Sequence, residues 1–133
     1  GWTANPTPEF SAYYAAFKAQ FPDSDISQPR IINVIGMLAQ AMQAAGTTDP
    51  KAVAMAMENM EYDSMLGTKV VMRAEDHQAF QNVHIQSHTN DGLPSNAAGD
   101  IMDFDNSGYG VLSGSTIEMA SMGMETTCEM KRP

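Results

Sequence analysis

The sequence predicts an α/β fold in which two or three helices pack on a small sheet, and three observations predict it. Three segments in the first half begin at a proline and continue with apolar residues at helical spacing. From Lys69 onward the period shortens to two, in brief runs separated by Gly, Asn, Ser and Pro. These strands are few and the loops between them long, and a hairpin-sized sheet is marginal in water by itself. The chain therefore reads as part of a larger α/β body, incomplete without further upstream polypeptide.

Each element has its own signal. Thr7-Pro8-Glu9 is a helix start, with Thr7 as N-cap and Pro8 in the first helical position. Phe10, Tyr13, Tyr14, Phe17 and Phe21 follow as an aromatic stripe, and Pro22 ends the helix before a polar loop, Asp23 to Gln28. A second helix starts near Pro29. Its wide apolar face is Ile31, Ile32, Ile35, Leu38 and Met42, and Gly46 is the stop. Asp49-Pro50 repeats the cap-plus-proline start and opens a third helix through Val53, Met57 and Met60. Lys69 to Arg73 reads as a strand, and Asn82 to His88 as another, alternating Val83 and Ile85 with polar neighbours. Asn90 to Gly99 is a loop by composition, and Tyr109 to Met119 holds a strand interrupted at Gly114.

The totals bound the partners. A length of 133 residues fits one domain with a real core, and no apolar run reaches the roughly 20 residues of a membrane span. The net charge of −9 repels phosphate backbones, so nucleic acid is not an expected partner. The opening Gly1-Trp2-Thr3 has no basic or apolar leader and no initiator Met, as expected of a mature start or of a piece of something longer. Cys128 stands alone, so no disulfide forms within the chain.

Several residues invite chemical readings. His84 and His88 have the four-residue spacing of a helical metal pair, but on a strand they lie about 13 Å apart, and a solvated strand face is preferred. Asp103 to Gly108 imitates the first half of a calcium loop, yet Gly114 stands where a bidentate Glu is required, which leaves a turn. Met119, Met122, Met124 and Met130 surround Cys128, soft ligands of the kind that hold Cu(I). A small periplasmic Met-rich copper-binding module is thus the alternative function. No nucleophile–base pair or phosphate-cradling loop is present, and Cys128 lies among acidic residues that disfavour its thiolate, so no enzyme is expected.

Four ordered segments carry a family resemblance. Asn33 to Pro50, ending Ala44-Ala45-Gly46-Thr47-Thr48-Asp49-Pro50, resembles the late helix and turn of branched-chain amino-acid-type solute-binding proteins. Lys51 to Met60 is similar to that family's next helix. Tyr62 to Gln78, with Gly67, Met72-Arg73-Ala74 and Asp76-His77-Gln78, resembles a strand–turn segment of one subgroup. Thr126 to Pro133 resembles the same subgroup's ending.

The resemblance implies a type I periplasmic-binding fold, two α/β lobes that close on a small solute. Residues 1–133 would be a single C-terminal fragment of that two-lobe protein. Residues 1–88 would supply helices and strands of one lobe, and residues 89–133 a loop and terminal crossing segment. The implied role is the substrate-binding component of an ABC transporter, periplasmic, binding an amino acid or related small organic solute by lobe closure without a cofactor. The implied partners are that solute, a membrane permease and the missing N-terminal part of the same protein. Ile32-Asn33 matches the position where relatives carry Tyr-Asp near the cleft, which makes Asn33 and Ile32 candidate ligand contacts. Trp2 is a third candidate, as an indole able to cover a ligand. Arg73 and Asp76 are expected to pair across a tight turn, and Cys128 with a cysteine upstream in the full protein.

Overall fold

The computed structural model describes residues 7–24, 26, 30–90, 110–123 and 125–132. In order they form α1 (Pro8–Gln20), α2 (Arg30–Ala45), α3 (Pro50–Ala56), β1 (Glu61–Asp63), β2 (Lys69–Met72), β3 (Ala79–Gln81), β4 (Val83–Thr89), β5 (Gly110–Ile117) and a short 3-10 turn, Met119–Ser121. The mixture of helices and small sheets is the expected α/β class, compatible with part of a periplasmic-binding-protein lobe. The chain divides into two compact units. One holds residues 1–29, 65–67 and 84–117, and the other residues 30–64, 68–83 and 118–133.

In the first unit, α1 starts as its sequence dictates. The Thr7 hydroxyl accepts from the Phe10 amide at 3.1 Å and donates to the Met65 carbonyl, with Pro8 beginning the first turn. At the other end Lys18 Nζ donates to the carbonyls of Pro22 and Ser24, at 2.8 and 2.9 Å, a cation placed against the negative end of the helix. The aromatic stripe divides: Phe10 and Tyr14 are buried, whereas Tyr13 and Phe21 are exposed. Strands β4 and β5 form a two-stranded sheet. Gly114 does not interrupt β5. A Cβ there would lie 2.9 Å from the Ile85 carbonyl oxygen, so glycine lets the backbones approach within a continuous strand.

The second unit contains a core built by α2, α3 and a three-stranded antiparallel sheet of order β1-β2-β3. The register pairs Tyr62 with Val70 and Val71 with Phe80. Met37, Ala41, Val53, Met60, Val70 and Met72 form the buried cluster. Burying each of the larger side chains contributes about 1.5–3 kcal/mol, and flexible methionines fill the irregular space between helices and sheet. Gly46 ends α2 at φ +64°, and Asp49 Oδ1 caps α3 by accepting from Ala52 at 2.9 Å.

Three expectations are corrected here. The helix from Pro50 stops at Ala56 rather than running through Met60, because Asn59 adopts φ +58° and turns the chain into β1. Strands β1 and β3, each of three residues, are too short to show a period and were not expected. The buried face of α2 is Asn33, Met37 and Ala41, while Ile31, Val34, Ile35 and Leu38 are exposed, the first three at 61%. The richest apolar stripe thus faces away from the core of its own unit.

Candidate functional site

Asn33 sits on the packed face of α2 and is 5% exposed. Its Oδ1 accepts from the Ser64 hydroxyl just beyond β1, and its Nδ2 donates to Gln81 Oε1 of β3 at 3.2 Å. A carboxamide offers two donor hydrogens and two acceptor lone pairs, so these bonds occupy half of its capacity. The arrangement ties α2 to two strands of the sheet, and a buried polar group so engaged avoids the desolvation cost of an unpaired one. Ile32, beside it, is half-buried. Trp2 lies outside the described residues.

Next along α2 the helix meets β1 closely. Gly36 faces the ring of Tyr62, where a Cβ would come within 2.6 Å of Cζ and 3.0 Å of Cε2. One turn further, Gln40 Nε2 donates to the Glu61 carbonyl at 2.9 Å. Asn33, Gly36 and Gln40 thus form one stripe of small or polar residues along which α2 contacts the sheet. Sequence reasoning found Asn33 but not Ser64, Gln81 or Tyr62. Gln81 is 48 positions away, and only strand register brings it there.

A charged cluster occupies the end of the same unit. Arg73 and Asp76 pair as expected across the β2–β3 turn: Nε donates to Oδ1 at 2.9 Å and Nη2 to Oδ2. The Arg73 guanidinium also lies 4.7 Å from the Phe80 ring centre. Arg73 holds the Asp76 carboxyl well below the usual carboxylate range, with help from the Gln78 amide and the Thr126 hydroxyl. Glu58 is lowered as well, first by its bond from Arg132 and then by His77. His77, at φ +53°, places Nε2 3.4 Å from Glu58 Oε1.

His84 lies on strand β4, where its Nδ1 is 3.0 Å from Thr116 Oγ1. His88 is on the same strand. Among the described residues, no three His, Cys, Asp or Glu side chains are grouped to hold a metal ion, and no helix is long and apolar enough to cross a membrane. The segment Asp103 to Gly108 and Met124 lie outside the described residues. Cys128 is exposed and unbridged. A shallow open groove on α1 is lined by Tyr13, Ala16, Phe17, Gln20 and Phe21.

A family model described as periplasmic binding protein matches residues 1–92 of the 133. The chain belongs to the periplasmic binding protein family, of the type I kind. No curated protein and no solved structure matches it. Membership assigns the chain a solute-binding role, in a family that generally does no chemistry on what it binds, and the matched region spans α1 to β4 and includes Asn33 and Ile32.

Proposed function

We propose that this chain belongs to the substrate-binding component of an ABC transporter, which takes up an amino acid or related small organic solute in the periplasm and delivers it to a membrane permease. The family match over residues 1–92 carries this reading. Lobe closure around the solute would shift an open–closed equilibrium in favour of the closed form. Residues 1–133 would act as a C-terminal part of the two-lobe body, with residues 1–88 in one lobe and residues 89–133 supplying a loop and a crossing segment.

The exposed face of α2 supports the partial-lobe reading. Ile31, Val34, Ile35 and Leu38 fall at helical spacing, and the helix carries a single charge, Arg30. A helix at a permanent water interface has a polar outer face. The other part of the same protein is the proposed cover for this one. Asn33, Ile32 and Trp2 are the proposed solute contacts.

The test is equilibrium titration of the protein expressed from its complete reading frame against a panel of amino acids and small organic acids, followed by uptake of the best ligand in cells lacking the gene. Micromolar or tighter binding, with uptake lost in the deletion strain, is expected. Unchanged uptake of every ligand bound would end the transport assignment. Failure of any panel member to bind would end the amino-acid part of it.

A further inference from the structure

The last described residues, 125–132, form neither helix nor strand, and all but Met130 are exposed. They are nevertheless fastened to the body of the second unit, through Arg132. At one end Thr126 lies beside the β2–β3 turn, where its hydroxyl helps to lower the Asp76 carboxyl. At the other, Arg132 Nε donates to Glu58 Oε1 at 2.7 Å and its Nη2 donates to the Ala74 carbonyl at 2.9 Å. Glu58 lies just after α3, 74 positions away from Arg132, and Ala74 lies in the β2–β3 turn. Ahead of that anchor the segment is kept in shape by a local bond from the Cys128 amide to Thr126 Oγ1, at 3.1 Å.

The receiving surface is preset. Arg73 holds Asp76 by a two-pronged ion pair, and His77 flanks Glu58. Glu75 adds a negative charge near Arg132. A segment held by a few polar contacts, with little apolar surface buried, opens locally at a free-energy cost far below that of unfolding the core. Its attachment depends on charge, whereas the core beneath it does not.

We propose that residues 125–132 are a detachable strap, docked across the β2–β3 turn through Arg132, whose release bares Glu58 and the Ala74 carbonyl. The strap stands on contacts within the second unit alone and is independent of which solute the protein takes.

Cys128 provides the test in the 133-residue chain, where it is the one cysteine and is exposed and free. A nitroxide attached there reports strap motion by its spectrum. In the wild-type chain at low ionic strength a restricted component should dominate. Arg132→Ala, and to a lesser degree Glu58→Gln, should raise the mobile fraction several-fold without lowering the melting temperature of the chain. Lys131→Ala removes an equal charge from the neighbouring residue and should leave the spectrum restricted. Salt at about 1 M, where screening acts within a few ångströms, should mobilise the wild-type label and change Arg132→Ala little. A label equally mobile in all four proteins would overturn the proposal. So would mobilisation accompanied by a large fall in melting temperature, which would make the segment part of the cooperative core.

Discussion

Gly36→Ala tests the contact between α2 and β1 most directly. In an exposed helix interior this change would stabilise by about 1 kcal/mol, since alanine loses less backbone entropy than glycine. Here the new methyl would overlap the Tyr62 ring, at 2.6 Å from Cζ. Tyr62 packs against the buried cluster, so the ring must swing off the helix and lose that contact, or α2 must lift and strain the Gln40 bond to Glu61. Overpacking of this kind costs about 1–3 kcal/mol. The net expectation for Gly36→Ala is therefore destabilisation of roughly 0–2 kcal/mol.

A double-mutant cycle separates the two effects. In a Tyr62→Ala background the obstruction is gone, and Gly36→Ala should stabilise by about 1 kcal/mol. Thermal melts followed by circular dichroism would read this as an upward shift of roughly 3–4 °C for a chain of this size, against no rise or a fall in the Tyr62 background. Equal stabilisation in both backgrounds would show that the ring does not rest on Gly36. The proposed register of helix on sheet would then be wrong.

Three further outcomes are expected. Thr7→Ala removes the cap from the Phe10 amide and the bond to the Met65 carbonyl, and should cost about 1 kcal/mol, measured by chemical denaturation. Asp76 has a depressed pKa in the folded chain, so its stabilising effect is complete above the ordinary unfolded carboxylate value of about 4 and is lost as pH falls through the lower folded value. Asp76→Asn should therefore melt at a lower temperature than wild type at neutral pH, with the two curves converging in strong acid. A constant gap at every pH would contradict the Arg73 pairing. Ile35→Glu lies on the exposed stripe and should change the stability of the 133-residue chain by no more than about 0.5 kcal/mol. The same change should clearly destabilise the protein made from its complete reading frame, in which that face is proposed to be covered. Matching melting temperatures for wild type and variant there would refute the cover.

Local chemistry was readable without coordinates. Thr7-Pro8 and Asp49-Pro50 begin helices because a side-chain oxygen and a proline meet the needs of a helix N-terminus wherever the chain goes next. Gly46 ends α2 because its φ of +64° suits glycine, and Arg73 meets Asp76 because three residues of tight turn leave them nowhere else to go. The family, too, was legible, from short motifs that occur in order along the chain.

The tertiary structure alone decided which face of α2 is inside. By hydrophobicity Ile31, Ile35 and Leu38 outrank Asn33, yet Asn33 is buried, since Ser64 and Gln81 satisfy its amide and Gly36 lets Tyr62 come close. Strands β1 and β3 were hidden for a related reason: three residues cannot display a period, and only pairing with β2 makes them strands. Arg132 and Glu58 likewise meet through the fold and not through spacing. Sequence patterns report what a segment prefers by itself, whereas burial and hydrogen-bond partners depend on which segments are brought together.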